Sequence, residues 1–167
     1  RFGPRSIREH SLRFGKEGYY DHDSNKMFLV HELTHRRLVD VGDADVLMTN
    51  IEATFENVTR MTRQILDHGA LPVVLGGDHA ISFPVVRAFS DPLHVVHFDA
   101  HIDYAPFVHG FEYTNSHAFR HIYRMPHVQT LTQVGIRSLR NPQAWVADSL
   151  NDGNRIITMA ELKRTSP

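Results

Sequence analysis

The stretch LHVVHFDAHID (residues 93–103) joins an apolar segment to a row of side chains that bind metal ions. The segment at residues 93–98 lacks a sustained alternation of polar and apolar residues, which predicts a buried β-strand. Asp99, His101 and Asp103 follow at every second position, and in an extended chain side chains two residues apart point the same way. The spacing therefore predicts that three potential ligands converge where this strand ends.

A second motif, GGDH (residues 76–79), follows another apolar segment, LPVVL (residues 71–75). Ligands bind at the carboxyl ends of the strands in a parallel sheet, so we expect His79 to lie close to the first motif. Carboxylates with one or two imidazoles suit Mn²⁺, and with more nitrogen Zn²⁺ or Fe²⁺. Two carboxylates and two imidazoles are more ligands than one ion needs beside a water molecule. This favours a two-metal site bridged by a carboxylate. Each motif alone is more typical of a turn, but two such motifs at consecutive strand ends favour a metal site.

The rest of the chain alternates predicted strands with predicted helices. Residues 50–68 have the clearest helical periodicity, with Thr49 or Asn50 suited to cap the start and Gly69 suited to end it. Residues 16–28 are polar and rich in turn formers, which predicts a loop. Further helices are predicted at residues 1–15, 82–89 and 142–150, and strands at residues 38–46, 71–75, 93–98, 131–136 and 155–159. Strands of this kind, separated by helices, indicate an α/β fold with a mainly parallel sheet covered on both faces.

Composition limits the class of protein. A chain of 167 residues has the length of one domain, and its 18 Lys and Arg nearly balance its 19 Asp and Glu. This balance predicts neither nucleic acid nor an anionic membrane as a partner. The absence of cysteine excludes disulfides, thiolate catalysis and cysteine-based zinc sites, and fits a reducing compartment. No apolar run approaches the roughly 20 residues that span a bilayer, so we expect a cytoplasmic protein.

Both motifs resemble those of a known enzyme family. GGDHAISFPVV (residues 76–86) and HFDAHID (residues 97–103) are similar to segments of the ureohydrolases, the arginase and agmatinase family of manganese amidinohydrolases. RFGPRSIREHS (residues 1–11), VDVGD (residues 39–43) and VGIRS (residues 134–138) also resemble family segments, in the expected order. The resemblance implies a three-layer α/β/α, arginase-like fold and a binuclear Mn²⁺ centre, usually in a homo-oligomer.

The resemblance also implies a role for each motif residue. His79 would bind one manganese ion and His101 the other, Asp99 would bridge the two ions, and Asp103 would bind the same ion as His79. Asp78 has no implied ligand role and is interpreted as a helix cap or as a partner of a ligand. The implied reaction is hydrolysis of a guanidino compound to urea and an amine by a hydroxide that bridges the two ions.

A histidine downstream of the second motif is the implied proton shuttle in this family. The best match is His117, and the alternative interpretation is an ordinary loop histidine. The family usually places glycine after this residue, where this chain has Ala118. Other histidines that fall on no motif are interpreted as surface or packing residues: His94, His97, His109, His121 and His127.

The substrate is predicted from the position after the second motif. Arginases bind the α-amino-acid group of their substrate partly through an Asn there, whereas this chain has Tyr104. This favours agmatine, a decarboxylated guanidine of polyamine metabolism, and leaves arginine and guanidinobutyrate-type substrates open. Residues 104–116 are rich in aromatic side chains and contain Glu112, which would suit a cationic alkyl chain. The alternative is that these aromatic side chains only pack the loop down.

One family motif has no counterpart in the sequence. The family carries a later Asp-x-Asp-x-x-Asp-Pro stretch that completes the metal site, and the strand before the first family segment is also without a match. The sequence therefore predicts a single partial ureohydrolase domain over residues 1–167 that is incomplete at the C-terminus and inactive by itself. Two alternatives stay open: a one-zinc deacetylase of the same superfamily, against which His79 and Asp103 argue, and a catalytically incomplete family member that only folds and oligomerises.

Overall fold

The computed structural model describes residues 3–13, 17–108 and 110–165. The predicted end of the first helix at Gly15, and His109, lie outside the described residues. Seven α-helices form within them: α1 (Gly3–Ser11), α2 (Val30–Thr34), α3 (Ile51–Asp67), α4 (Ser82–Val86), α5 (Ala118–Tyr123), α6 (Gln143–Asn151) and α7 (Met159–Thr165). Five strands form: β1 (Tyr19–Asp21), β2 (Lys26–Phe28), β3 (Leu93–Phe98), β4 (Val128–Ile136) and β5 (Arg155–Thr158). No described helix is long and apolar enough to cross a membrane.

The chain divides into two compact units, residues 1–43 and residues 44–167. In the first unit, β1 and β2 pair as an antiparallel ribbon, with Tyr19 opposite Phe28. The side chain of Asp21 accepts hydrogen bonds from the backbone and hydroxyl of Ser24, which closes the turn between the strands. The prediction of a loop at residues 16–28 is therefore wrong for these six strand residues. Strands of three residues are too short for periodicity to distinguish them from a loop.

The second unit contains a three-stranded sheet in the order β3–β4–β5, and both pairs are parallel. The prediction of an α/β fold with a parallel sheet is confirmed. One face of β3 presents Leu93, Val95 and His97 towards the interior, and α5 packs there through Phe119. The buried side chains that form the core include Ile102, Tyr104, Ile122 and Leu131.

Helix α3 is the element that the sequence predicts most accurately. The side chain of Asn50 accepts a hydrogen bond of 2.9 Å from the backbone N–H of Ala53, as expected of a helix cap. The helix ends at Asp67, two residues before Gly69. Its buried side includes Phe55, which makes an edge-to-face contact with Phe83 at 5.6 Å between ring centroids.

Two predicted strands, at residues 38–46 and 71–75, do not form among the described residues. Leu71 is 84% exposed and Val73 is 78% exposed, so this segment is not buried in a sheet. The prediction was wrong because β-branched, apolar composition indicates only a preference for a sheet. A strand also needs a hydrogen-bonded neighbour, and whether one lies alongside is a tertiary property.

Candidate metal centre

His79 is positioned by a tight turn that follows the glycine pair. Gly77 has φ of 66°, a left-handed conformation that glycine adopts without strain. The side chain of Asp78 then accepts a hydrogen bond of 2.9 Å from the backbone N–H of Ala80 and caps a 3₁₀ turn at His79–Ile81. The interpretation of Asp78 as a helix cap is confirmed. The turn directs the imidazole of His79 towards the end of β3.

Two carboxylates of the HFDAHID stretch meet this imidazole. Nδ1 of His79 lies 2.9 Å from Oδ2 of Asp99 and 2.8 Å from Oδ2 of Asp103. Asp103 has φ of 45°, which is unusual for a residue other than glycine and is often found at functional sites. Together with His97, these residues offer four ligand atoms within 4.8 Å of one another. The described chain thus brings two carboxylates and two imidazoles to one point, a donor set suited to a divalent cation.

The electrostatics of this cluster favour the charged form of Asp99. A hydrogen bond to Asp103 raises the pKa of His79, against the effect of burial. Burial alone would raise the pKa of Asp99, but the backbone N–H of His101 and the nearby ring of His79 lower it overall. Burial lowers the pKa of His97 to about 4, so this ring is neutral. A charged carboxylate at Asp99 is the state that divalent cations bind, whereas a metal ion at His79 would have to displace the proton that the raised pKa favours.

His101 lies at the edge of this cluster. Its side chain is 50% exposed, and its Nδ1 lies 3.4 Å from Oδ1 of Asp99, whereas His79 approaches Oδ2 of the same carboxylate. The extended conformation ends at Phe98, so the spacing argument for three converging side chains does not describe the geometry beyond that residue. The predicted role of His101 as a ligand stays a prediction.

His97 is the cluster member that the sequence interpretation did not assign to the site. It packs as expected, because its ring stacks on Phe119 at 3.6 Å between centroids. Its Nε2 also lies 3.4 Å from Oδ2 of Asp99. The available signal was that His97 lies on the buried side of β3, two residues before Asp99.

His117 lies in a second 3₁₀ turn, Asn115–His117, which contacts the turn of His79. Its Nδ1 is 2.7 Å from the hydroxyl of Thr114, and burial lowers its pKa although a hydrogen bond to the Pro106 carbonyl opposes the shift. Ala118 begins α5 with φ of −53°, so this position does not need glycine. The departure from the family pattern at Ala118 therefore leaves the local backbone in an ordinary helical conformation.

Tyr104 belongs to the buried core. Its side chain is fully buried, its hydroxyl lies 2.7 Å from a carboxylate oxygen of Asp152, and the guanidinium of Arg120 lies 4.6 Å from its ring centroid. Of the other loop aromatics, Tyr113 stacks on His121 at 5.2 Å. The identity of residue 104 therefore no longer supports agmatine as the substrate. Tyr104 packs in the interior, as the alternative interpretation predicted.

His121 gives a testable pH dependence away from the metal cluster. Its ring packs among Phe83, Phe107 and Tyr113, and its Nε2 lies 2.6 Å from the carbonyl of Glu112. Burial lowers its pKa below the ordinary 6.5, with His117 and Arg124 acting in the same direction and Glu112 opposing them. Below about pH 6.5, the imidazole of His121 is therefore protonated in the unfolded chain while it stays neutral in the folded chain. This difference lowers the free energy of unfolding as the pH falls.

We expect His121→Phe to flatten the fall in the free energy of unfolding between pH 6.5 and pH 5, measured by urea titration of the metal-free protein. Above pH 6.5 both states leave this group neutral, so its contribution is constant there. Leu131→Val is the control: it trims a buried core side chain, removes no titratable group and leaves the rings around His121 in place, so it should shift stability equally at each pH. An unchanged slope in His121→Phe would contradict the assignment.

Comparison with known proteins identifies the family. The family model described as "Arginase family" matches residues 1–167. The chain belongs to the arginase family. Agmatinase from Bacillus anthracis is 30% identical over 141 residues, which is 83% of this chain and 46% of that protein. The mitochondrial arginase of Medicago truncatula is 34% identical over 131 residues, which is 75% of this chain and 37% of that protein.

Solved structures of the arginase family share the fold. The crystal structure of formimidoylglutamase from Bacillus subtilis subsp. subtilis str. 168 matches with a TM-score of 0.83 and 28% identity over 98% of this chain and 50% of that one. The predicted arginase-like, three-layer α/β/α fold is confirmed. This arginase-family chain spans about half the length of the relatives it matches or less.

Proposed function

We propose that the protein is a metal-dependent amidinohydrolase that converts a guanidino compound to urea and an amine, with agmatine as the first candidate substrate. The observation that carries this proposal is the cluster at the carboxyl end of β3, where His79 meets two carboxylates, Asp99 and Asp103, within 2.9 Å. Its occurrence in a chain of the arginase family supports a role in hydrolysis at an amidino carbon.

The donor set fits divalent cations, and we propose two Mn²⁺ ions. His79, Asp103 and one oxygen of Asp99 would hold the first, and His101 with the other oxygen of Asp99 would contribute to the second. The geometry supports this division because the two imidazoles approach different oxygens of Asp99. When bound, the ions would lower the pKa of water and polarise the guanidino group, which is otherwise a poor electrophile.

His117 is proposed to hold the proton that reaches the leaving amine. Its ring is buried beside the turn of His79 and its lowered pKa keeps it neutral at pH 7, so it is able to accept a proton. Water adds to the guanidino carbon, the bond from that carbon to the alkyl-bearing nitrogen breaks, and that nitrogen takes a proton as it leaves. Thr114 would fix the orientation of the ring through its hydroxyl.

A cavity of about 360 Å³ beside His117 supports an alkyl substrate. Its lining includes Val108, Phe111 and Trp145, and within the described residues no charged side chain lines it. Agmatine, arginine and guanidinobutyrate share a guanidinoalkyl chain that this lining would contact, so the cavity supports the substrate class and not a choice within it. The relationship to an agmatinase supports agmatine as the first candidate, and the relationship to an arginase keeps arginine as the second.

The test is urea release by the purified full-length protein with and without Mn²⁺, because residues 1–167 alone are expected to be inactive. We expect the highest kcat/KM with agmatine, lower values with arginine and 4-guanidinobutyrate, and loss of urea release after chelation. Absence of urea from every guanidino compound would refute the proposal and favour a family member that only folds and oligomerises. We further propose a cytoplasmic homo-oligomer, on the family resemblance, which size-exclusion chromatography and cell fractionation would test.

We expect His117→Ala to lower kcat by roughly 100-fold, the usual contribution of a positioned proton donor, while the Mn²⁺ content stays unchanged. Steady-state kinetics with agmatine and metal analysis of the same sample provide the measurement. His127→Ala is the control, because His127 is hydrogen-bonded to the Val86 carbonyl and has no proposed role in catalysis. If both variants retain normal kcat, the proton role of His117 is wrong.

A further inference from the structure

A buried chain of polar side chains leads from the end of α6 to the candidate metal centre. Nδ2 of Asn154 lies 3.2 Å from the hydroxyl of Ser149, which in turn lies 2.8 Å from Oε1 of Gln133. Nε2 of Gln133 lies 3.1 Å from Nδ1 of His97, and Nε2 of His97 lies 3.4 Å from Oδ2 of Asp99. The four side chains before Asp99 are all buried. A buried polar network of this kind is costly unless every member is satisfied, so each orientation in it is constrained.

The orientation of the Gln133 amide is determined by its other neighbours. Its Nε2 lies 2.6 Å from the carbonyl oxygen of Ile102, which only a donor can approach so closely. Its Oε1 accepts the hydrogen bond from Ser149. Rotating the amide by 180° would place two acceptor oxygens 2.6 Å apart, so the NH₂ group faces both Ile102 and His97. The parallel register places Gln133 directly beside His97 on the neighbouring strand.

This orientation determines which nitrogen of His97 carries the proton. Nδ1 faces the NH₂ group of Gln133 and has to accept, so the hydrogen of the imidazole lies on Nε2. Nε2 has no hydrogen-bond partner within the described residues, and the neighbouring carboxylate oxygen of Asp99 is at ion-pair distance. The ring plane is held by stacking on Phe119. A nitrogen atom that carries a hydrogen cannot ligate a metal ion. Nε2 of His97 is therefore not available as a ligand, although His97 offers an atom within 4.8 Å of those of the other cluster residues.

We propose that Gln133 holds His97 in the Nε2–H tautomer and that His97 is a positioning residue for Asp99, not a metal ligand. The N–H of His97 faces Oδ2 of Asp99 and orients the carboxylate proposed to bridge the two ions. Outer partners of this kind commonly control ligand orientation in metal sites. The inference rests on the proposed metal function of the cluster, but the tautomer of His97 can be measured without turnover.

The first test is long-range ¹H–¹⁵N NMR of the histidine rings in the full chain, metal-free and loaded with ¹¹³Cd²⁺ as a diamagnetic probe. We expect His97 to be protonated at Nε2 in both samples, with scalar coupling between ¹¹³Cd and His79 but none to His97. An Nδ1–H tautomer, or coupling to His97, would overturn the inference. Failure of ¹¹³Cd²⁺ to bind would instead count against the proposed function, while the metal-free spectrum would still decide the tautomer.

The second test is Mn²⁺ affinity and stoichiometry of variants, measured by electron paramagnetic resonance. His97→Phe keeps the stacked ring and removes the donor, and Gln133→Met releases the tautomer; each should weaken binding roughly 10- to 100-fold with the number of ions unchanged. His97→Gln supplies an amide N–H and should retain affinity closer to the unmodified protein. His121→Phe, in the separate aromatic cluster, is the control and should leave affinity unchanged.

Two results of the second test would contradict the inference. Loss of one bound ion per chain in His97→Phe would identify His97 as a ligand, and unchanged affinity in both His97→Phe and Gln133→Met would exclude a positioning role. Circular dichroism of each variant checks the fold. If His97→Phe does not fold, Gln133→Met and the NMR measurement on the unmodified protein still decide the question.

Discussion

Replacing Asp99 with asparagine should abolish Mn²⁺ binding in the protein and lower kcat/KM by more than about 100-fold, since even outer partners of metal ligands are worth 10- to 100-fold. Asp99 is the residue on which the cluster converges: His79 lies 2.9 Å from one carboxylate oxygen, and His101 lies 3.4 Å from the other. An amide of nearly the same shape removes the negative charge and replaces one oxygen by a donor. Isothermal titration with Mn²⁺ and urea assays with agmatine would measure both effects.

The control for this prediction is Asp91→Asn, which makes the same chemical change at an exposed position before β3. It should leave metal content and rate unchanged. Thermal unfolding of the two variants without metal separates loss of ligand chemistry from loss of fold. Retention of two bound ions by Asp99→Asn would remove Asp99 from its proposed bridging role, whatever the effect on rate.

Replacing Arg120 with methionine should lower the free energy of unfolding by about 3 kcal/mol, the cost of removing a charged donor from buried acceptors. Arg120 lies in α5 and donates from Nε and Nη2 to the carbonyl of Tyr104, at 3.1 Å and 2.8 Å. It also pairs with Asp148 at 2.6 Å. Methionine fills similar space but leaves the Tyr104 carbonyl without these donors. Urea denaturation monitored by the fluorescence of Trp145 would measure the change.

Two further variants separate the contributions of Arg120. Asp148→Asn should cost about 1 kcal/mol or less, because this carboxylate is half exposed and its loss leaves the bonds to Tyr104 intact. Arg120→Lys should be intermediate, since a single ammonium group cannot reproduce the planar fork. Equal stability of Arg120→Met and the unmodified protein would show that the interior tolerates an unpaired Tyr104 carbonyl.

Motif residues and long periodic elements were predictable from the sequence for local reasons. Helix α3 satisfies its backbone hydrogen bonds internally, so its apolar period and the Asn50 cap were sufficient. Asp99 and Asp103 followed from the rule that ligands bind at the carboxyl ends of parallel strands. His79 reaches them from a turn, because the strand predicted at residues 71–75 does not form. The strands at residues 38–46 and 71–75 were predicted wrongly because apolar composition indicates only a preference for a sheet and carries no information about a hydrogen-bonded neighbour.

The sequence by itself determined the α/β class, the arginase-family relationship and the two motifs that bear the candidate ligands. These features depend on residue identity and on spacing along the chain, which local chemistry converts directly into structure. Only the tertiary structure placed His97 in the cluster beside Asp99, put His101 at its edge and buried Tyr104 in the core. Those outcomes depend on the turn after Phe98, on the register between β3 and β4, and on the packing of α5. Each of these brings together residues that the sequence separates, and their contacts decide which way a side chain faces.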